Sequence, residues 1–238
     1  MQKIIKDAIK KNKVLVYYQP IYGDKQNIIK SEALMRINYN GSILLPQDFL
    51  QEAKNLGLYP ELERIVLIKV FEHLRAFREM IVSVNVAAED ISNPETLSLL
   101  EEKLLDESVA KRVIFEITED LSALANKQEI ITFTEKAKQA GAMIAIDDFG
   151  IGFSNYTQLI HIDPDFIKID GSIIQEIDKN QKAEKIIKSI VSLARELNIK
   201  TIAEYVTSHK IYRKCISSGV DEFQGFLFGK PRKNVTLL

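Results

Sequence analysis

One cysteine, three histidines and no tryptophan occur in 238 residues. A lone thiol, Cys215, excludes an internal disulfide and any cysteine-based metal cluster, and reads as a reduced thiol on a helix. His73, His161 and His209 lack the HxxxH spacing of a zinc helix. His73 falls on an apolar helical stripe and reads as a semi-buried, satisfied residue. No apolar run approaches the ~20 residues that span a bilayer. The opening MQKIIKDAIKKNKV has charges scattered through it and no signal-peptide core, so a cytoplasmic protein with a short, solvated N-terminal helix is expected. Neither sign of charge dominates: 32 basic and 33 acidic residues leave a net charge of −1. No global basic field is present, and duplex nucleic acid is not an expected partner.

What is present is ordinary for a globular chain, with 46% hydrophobic and 27% charged residues, enough for a large core. Eight β-like runs are read at 14–21, 28–37, 81–87, 113–118, 142–149, 166–170, 199–206 and 222–229. Apolar residues at the 3.6-residue period predict helices over 59–79 and 179–198, the latter with Ala183, Ile186, Ile187, Ile190, Val191, Ala194 and Leu197 on one stripe. Further helices are expected over 94–106, 121–140 and 207–218. Asp120 or Ser122 is the candidate cap of the 121–140 helix, and Gly141 its stop. Only the first two strands lack an intervening helix; GDKQN between them reads as a turn, so they are expected to pair antiparallel.

Alternating strands and helices over this length predict a (β/α)8 barrel or a doubly wound sheet. The absence of a glycine-rich loop after the first strand weakens the dinucleotide-binding form of the latter. With no low-complexity linker or short repeat, residues 1–238 are read as one domain. The expected class is α/β, a TIM-like barrel with its first strand antiparallel.

Nearly every β-like run carries or ends in a polar group: Glu32, Asn85, Glu116, Asp147 and Asp148, Lys168 and Asp170, Glu204, Gln224. A carboxylate in a β-branched run is costly if buried alone. Singly, each is as well explained by a buried ion pair. Together, on successive strands of a barrel, they point to one shared site at its mouth. Oxygen-rich clusters of this kind are what hard divalent cations require. These residues alone reach as far as a metal-dependent phosphoester hydrolase. The DDFG run is not read as a kinase motif, because no glycine-rich loop or HRD-like catalytic loop accompanies it.

The motifs taken in order are YYQPIY, SEALMR, SVNVA, FEITED, IDDFGIGFSNYTQL, DFIKIDGSII and FQGFLFGKP, between about residues 12 and 232. In this the sequence resembles the EAL domain, the cyclic di-GMP-specific phosphodiesterase module of bacterial second-messenger signalling. The resemblance implies that Glu32, Asn85, Glu116 and Asp147 hold one Mg²⁺ or Mn²⁺. It implies that Asp147, Asp148 and Glu204 hold a second. Glu32, Asp147, Lys168 and Glu204 would carry catalysis, with the general base open between Lys168 and Glu204. Gln19, Leu34, Arg36, Asp170 and Gln224 would contact substrate, and Glu119 would anchor the loop after DDFG. It further implies hydrolysis to linear pGpG, and a homodimer formed through residues 150–160.

Two departures stand out. The family pattern A-E-G-V-E is here Ala203-Glu204-Tyr205-Val206-Thr207. Tyr205 is expected to alternate away from Glu204, outside the mouth; Thr207 removes an acid that could steady Glu204. After KP only RKNVTLL remains, where a helix is common in the family. The chain is either free-standing or part of a longer protein with a sensor or GGDEF domain. The rival to an enzyme is an EAL-like receptor or protein-interaction domain without turnover.

Overall fold

The computed structural model describes residues 1–238 except 24, 26, 118–126, 152–154 and 234–238. Helix α1 (Gln2–Lys10) precedes strands β1 (Val14–Tyr22), β2 (Ile28–Tyr39) and β3 (Ser42–Leu44) and helices α2 (Pro46–Asn55) and α3 (Tyr59–Ala76). Then come β4 (Val82–Val86), α4 (Ala88–Ile91), α5 (Pro94–Leu104), α6 (Glu107–Ala110), β5 (Val113–Ile117), α7 (Lys127–Gln139) and β6 (Met143–Phe149). The chain continues through α8 (Asn155–His161), β7 (Phe166–Ile169), α9 (Gly171–Ile174), α10 (Gln181–Glu196), β8 (Lys200–Ala203), α11 (His209–Ser217) and β9 (Glu222–Gln224).

The sheet runs β1-β9-β8-β7-β6-β5-β4-β2-β3 and closes through β1–β2. Eight strands therefore form a barrel, with β3 a hairpin strand on the edge of β2. Strand β1 is antiparallel to both neighbours, β2 and β9, and the pairs from β2–β4 round to β8–β9 are parallel. This is the expected (β/α)8 barrel with an inverted first strand. Among the described residues, no helix is long and apolar enough to cross a membrane.

Side chains two apart share a face of a strand, and that period builds the barrel interior in layers. Ile114, Ala145, Phe166 and Ile202 are buried inside, together with Ile21. Each of these four stands two residues before an acid or lysine of interest: Glu116, Asp147, Lys168 and Glu204. The apolar layer is thus the floor of the polar one. Lys30 and Glu222 complete that floor with a buried ion pair at 2.6 Å, the ammonium 3.3 Å from the centroid of the Phe166 ring. The outward faces of the strands pack on the helices in two larger apolar cores.

Two strands are shorter than expected. Strand β9 ends at Gln224, not at 229, because the chain must cross the backbone of Val206 closely: a Cβ on Gly225 would lie 2.2 Å from the Val206 carbonyl oxygen. Strand β8 ends at Ala203, and Tyr205 adopts φ +50°, which breaks the extended run. Helix α2, strand β3 and the short helices α4, α6, α8 and α9 go beyond the elements expected from periodicity. The candidate caps Asp120 and Ser122 and the loop anchor Glu119 lie outside the described residues.

Candidate metal and substrate site

Lys168 stands at the centre of the polar layer and is 1% exposed. Its Nζ lies 2.7 Å from Glu116 Oε2, 2.9 Å from Glu204 Oε1, 3.0 Å from Asp147 Oδ1 and 3.7 Å from Glu32 Oε2. Four strands, β2, β5, β6 and β7, and the residue that follows β8 therefore meet at one ammonium. Glu32 Oε1 accepts a hydrogen bond from Asn85 Nδ2 at 3.2 Å, and Glu32 Oε2 one from Gln224 Nε2 at 2.5 Å. Gln19, opposite Glu32 across the β1–β2 ladder, lies 3.4 Å from the Gln224 amide and donates to the Gly229 carbonyl.

A regular strand would point Asp147 and Asp148 to opposite faces. Instead the β6–β7 register shifts between Ile146 and Phe149, and Asp148 takes φ +53°. This irregularity re-aims a side chain in the way a bulge does. Asp147, Asp148 and Glu204 consequently offer oxygens all within 4.8 Å of one another. Glu32, Glu116, Asp147 and Glu204 share one lysine, so these carboxylates outnumber the ammonium they surround. The donors are oxygens throughout, and the fully buried Glu116 Oε1 has no hydrogen-bond partner among the described residues. Both features suit a hard divalent cation.

The titration behaviour follows from the same crowding. Burial raises the Glu116 carboxyl well above its ordinary range; Glu32 adds to this and Lys168 opposes it. Burial also lifts Glu204 to about 8, against the pull of Lys168 and with help from Asp147 and Glu32. Burial works against the Lys168 ammonium, but Asp147, Glu116, Glu204 and Glu32 outweigh it and hold its pKa well above the usual lysine value. Between the ordinary carboxylate range and pH 8 the folded chain thus binds more protons than the unfolded one. Stability without metal should therefore fall as pH rises through that window. Lys168 does not alter the sign, since its contribution is lost only above its own raised pKa. Glu63, Asp90 and Glu222, buried elsewhere, are raised too and act in the same direction. Denaturation midpoints measured in chelator from pH 5 to pH 8 should decline, and the part of the decline that Mg²⁺ or Mn²⁺ removes belongs to this cluster. A midpoint that is flat with pH would contradict the buried acids.

Above the cluster opens a cavity of about 610 Å³. Glu32, Leu34 and Arg36 line it from one face of β2, joined by Gln19, Gln224, Asp147, Asp148, Lys168 and Glu204. Arg36 donates to the Met35 carbonyl at 2.7 Å and lies 5.7 Å from the Tyr17 ring centroid, which fixes its stem beside the cavity. Asp170 is placed differently: it caps α9, its Oδ1 accepting from Ser172 N at 2.7 Å, and it is not part of the cavity wall.

The expectation for Tyr205 is corrected. Because β8 ends before it and its φ is positive, Tyr205 does not alternate away; it lines the mouth and is 60% exposed. Burial, then the charges of Glu204, Glu32, Asp170 and Asp148, keep its hydroxyl protonated. Thr207 also lines the mouth, but the contact that orients Glu204 is Lys168. Phe226, 61% exposed on the same rim, and Leu45, Pro46 and Gln47 at the start of α2 escape a reading of the sequence. They lie beyond strand ends, where no period marks them.

Known proteins place this arrangement. The EAL domain family model matches residues 2–231. The cyclic di-GMP phosphodiesterase PdeB of Shewanella oneidensis is 30% identical over 236 residues, covering 96% of this chain and 28% of that protein. The chain spans about a third of the length of the curated relatives it matches. In structure, the PaMucR phosphodiesterase in complex with c-di-GMP superposes with a TM-score of 0.89 at 26% identity, covering 100% of this chain and 99% of that one. An EAL domain protein from Listeria monocytogenes superposes at 0.88 with 27% identity, covering 98% and 94%.

Proposed function

The chain belongs to the EAL domain family, and from that premise we propose that it is a cyclic di-GMP phosphodiesterase yielding linear pGpG. The observation that carries this is the meeting of Glu32, Glu116, Asp147 and Glu204 around Lys168 beneath a cavity of about 610 Å³. PdeB of S. oneidensis bears the name of this activity, and PaMucR was solved with c-di-GMP.

Glu32, Asn85, Glu116 and Asp147 would hold one Mg²⁺ or Mn²⁺, and Asp147, Asp148 and Glu204 a second. Such a pair activates a water and takes up charge on the phosphoryl oxygens. The chain's own residues do the rest. Leu34, Arg36, Gln19 and Gln224 line the room for the dinucleotide, with Arg36 offering a donor fork to a phosphate or a guanine edge. Asp170, at the end of β7, would join them as a substrate contact while its Oδ1 caps α9. Lys168, within 3.0 Å of Glu116, Glu204 and Asp147, orients the acids and the attacking water. Glu204, 2.9 Å from Lys168 Nζ and beside Asp147 and Asp148, is placed to take the water's proton. The water oxygen bonds to phosphorus, the ring's P–O3′ bond breaks, and the 3′-oxygen is protonated.

The whole chain is read as one cytoplasmic unit, working alone or beside a sensor or GGDEF domain. The large apolar side chains of Ile151, Tyr156 and Ile160 are exposed near the DDFG loop, which supports a homodimer through residues 150–160. Incubation with cyclic di-GMP and Mg²⁺ or Mn²⁺, followed by chromatography, should show pGpG, and exhaustive chelation should remove it. Ca²⁺ should support little turnover, since its longer bonds and looser geometry misplace the water. Full activity in chelator would overturn the mechanism. Tyr205 in the mouth and threonine at 207 favour one second reading, a receptor. Tight cyclic di-GMP binding without any pGpG would establish it.

A further inference from the structure

We propose that Tyr205 is a stacking platform for one purine base of the dinucleotide, an inference that rests on the function proposed above. The first observation is conformational. Tyr205 holds φ +50°, a region unfavourable for a bulky L-residue, and such outliers persist where the surroundings enforce them, often at functional sites. The second is position. The ring is 60% exposed yet is part of the cavity wall, one residue beyond Glu204. It therefore shares one cavity with the reacting acids.

The third is support. The side chain rests on the bare α-carbon of Gly171: a Cβ there would come within 2.3 Å of Tyr205 Cδ2 and 2.6 Å of its Cγ. A ring backed by Gly171, largely exposed and lining the cavity, is a preformed surface. The next residue is also fixed, since Val206 N donates to the Gln224 carbonyl at 2.9 Å and Leu227 N donates to the Val206 carbonyl at 3.1 Å. Phe226 rises from the far side of this crossing and offers a second exposed ring, with Lys230 Nζ 5.3 Å from its centroid. The occupant that suits such a rim, above an acid cluster fit for divalent cations, is a phosphodiester carrying planar bases. Stacking on an aromatic side chain is tolerant of base identity, so Tyr205 supplies affinity, and hydrogen-bonding groups such as Arg36 are left to read the base.

The test is steady-state hydrolysis of cyclic di-GMP at saturating Mn²⁺ by the parent chain, Tyr205→Gly and Tyr205→Phe. Glycine is at ease at this φ, so the first variant should fold, with a thermal midpoint no lower than the parent's. Loss of one stacked base should raise KM by about tenfold with kcat nearly unchanged, and phenylalanine should restore the parent KM. An unchanged or lowered KM in Tyr205→Gly would show a ring that merely fills or obstructs the mouth, and would overturn the platform. So would a fall in kcat at constant KM, which marks a disturbance of Glu204, or a phenylalanine variant as impaired as glycine. If the parent binds without turnover, the same comparison is made on Kd. A parent that neither binds nor hydrolyses cyclic di-GMP overturns the proposed function itself. A working parent with an indifferent Tyr205→Gly overturns the platform alone.

Discussion

Replacing Glu32 by alanine should lower kcat for cyclic di-GMP by at least about 10²- to 10³-fold, the scale on which one electrostatic group acts at a reacting centre. Glu32 is joined to Asn85, Gln224 and Lys168 at once, so its removal takes away a cation ligand and frees the two amides that position it. The fold should survive. Leaving the amides without their acceptor costs about 1–3 kcal/mol, and removing one of several crowded like charges offsets part of that. Glu32→Gln separates the two effects, since it keeps the shape and discards the charge. Formation of pGpG is measured beside a thermal melt for each variant. Near-normal turnover in a folded Glu32→Ala would show that the ligand assignment is wrong.

Replacing Lys168 by methionine should be the most destabilising change in the site. The ammonium is buried and within 3.0 Å of Glu116, Glu204 and Asp147. Removing one partner of a buried ion pair typically costs about 3–5 kcal/mol, because the remaining charge is left uncompensated. The loss should be smaller at pH 5 than at pH 8, since the crowded acids escape it by taking up protons. Mn²⁺ should restore part of the stability by supplying the missing positive charge. Urea denaturation at both pH values, with and without metal, reads all three effects, provided the m-value is unchanged. A Lys168→Met chain as stable as the parent at pH 8 in chelator would mean that the cluster is not held together by this ammonium. Hydrolysis should be lost as well, because the acids then lack the cation that orients them.

The barrel itself is legible in the sequence, and so is its inward face. Ile114 with Glu116, Phe166 with Lys168 and Ile202 with Glu204 are pairs two residues apart, and the period of a strand is a local property written in consecutive residues. The missing helix between the first two β-like runs likewise announces the antiparallel β1–β2 pair. The oxygen-only donor set, and hence the class of cation, follows from residue types alone.

Other features could only come from the closed structure. That Lys168 is the common partner of four acids depends on strands far apart in sequence being brought round one axis. The convergence of Asp147 and Asp148 depends on a register shift between β6 and β7, and the entry of Tyr205 into the mouth on the end of β8 at Ala203. Both Asp148 and Tyr205 take positive φ, which for a bulky tyrosine is unfavourable, so strict alternation does not give the side each one faces. That Asp170 also caps α9, its Oδ1 accepting from Ser172 N, appears only in the folded chain. Alternation and donor chemistry belong to each residue and its neighbours, so the order of residues already shows which side chains turn inward and what they can ligate. Which of them meet is another matter, because ring closure and backbone strain are imposed by contacts that no local stretch of chain contains.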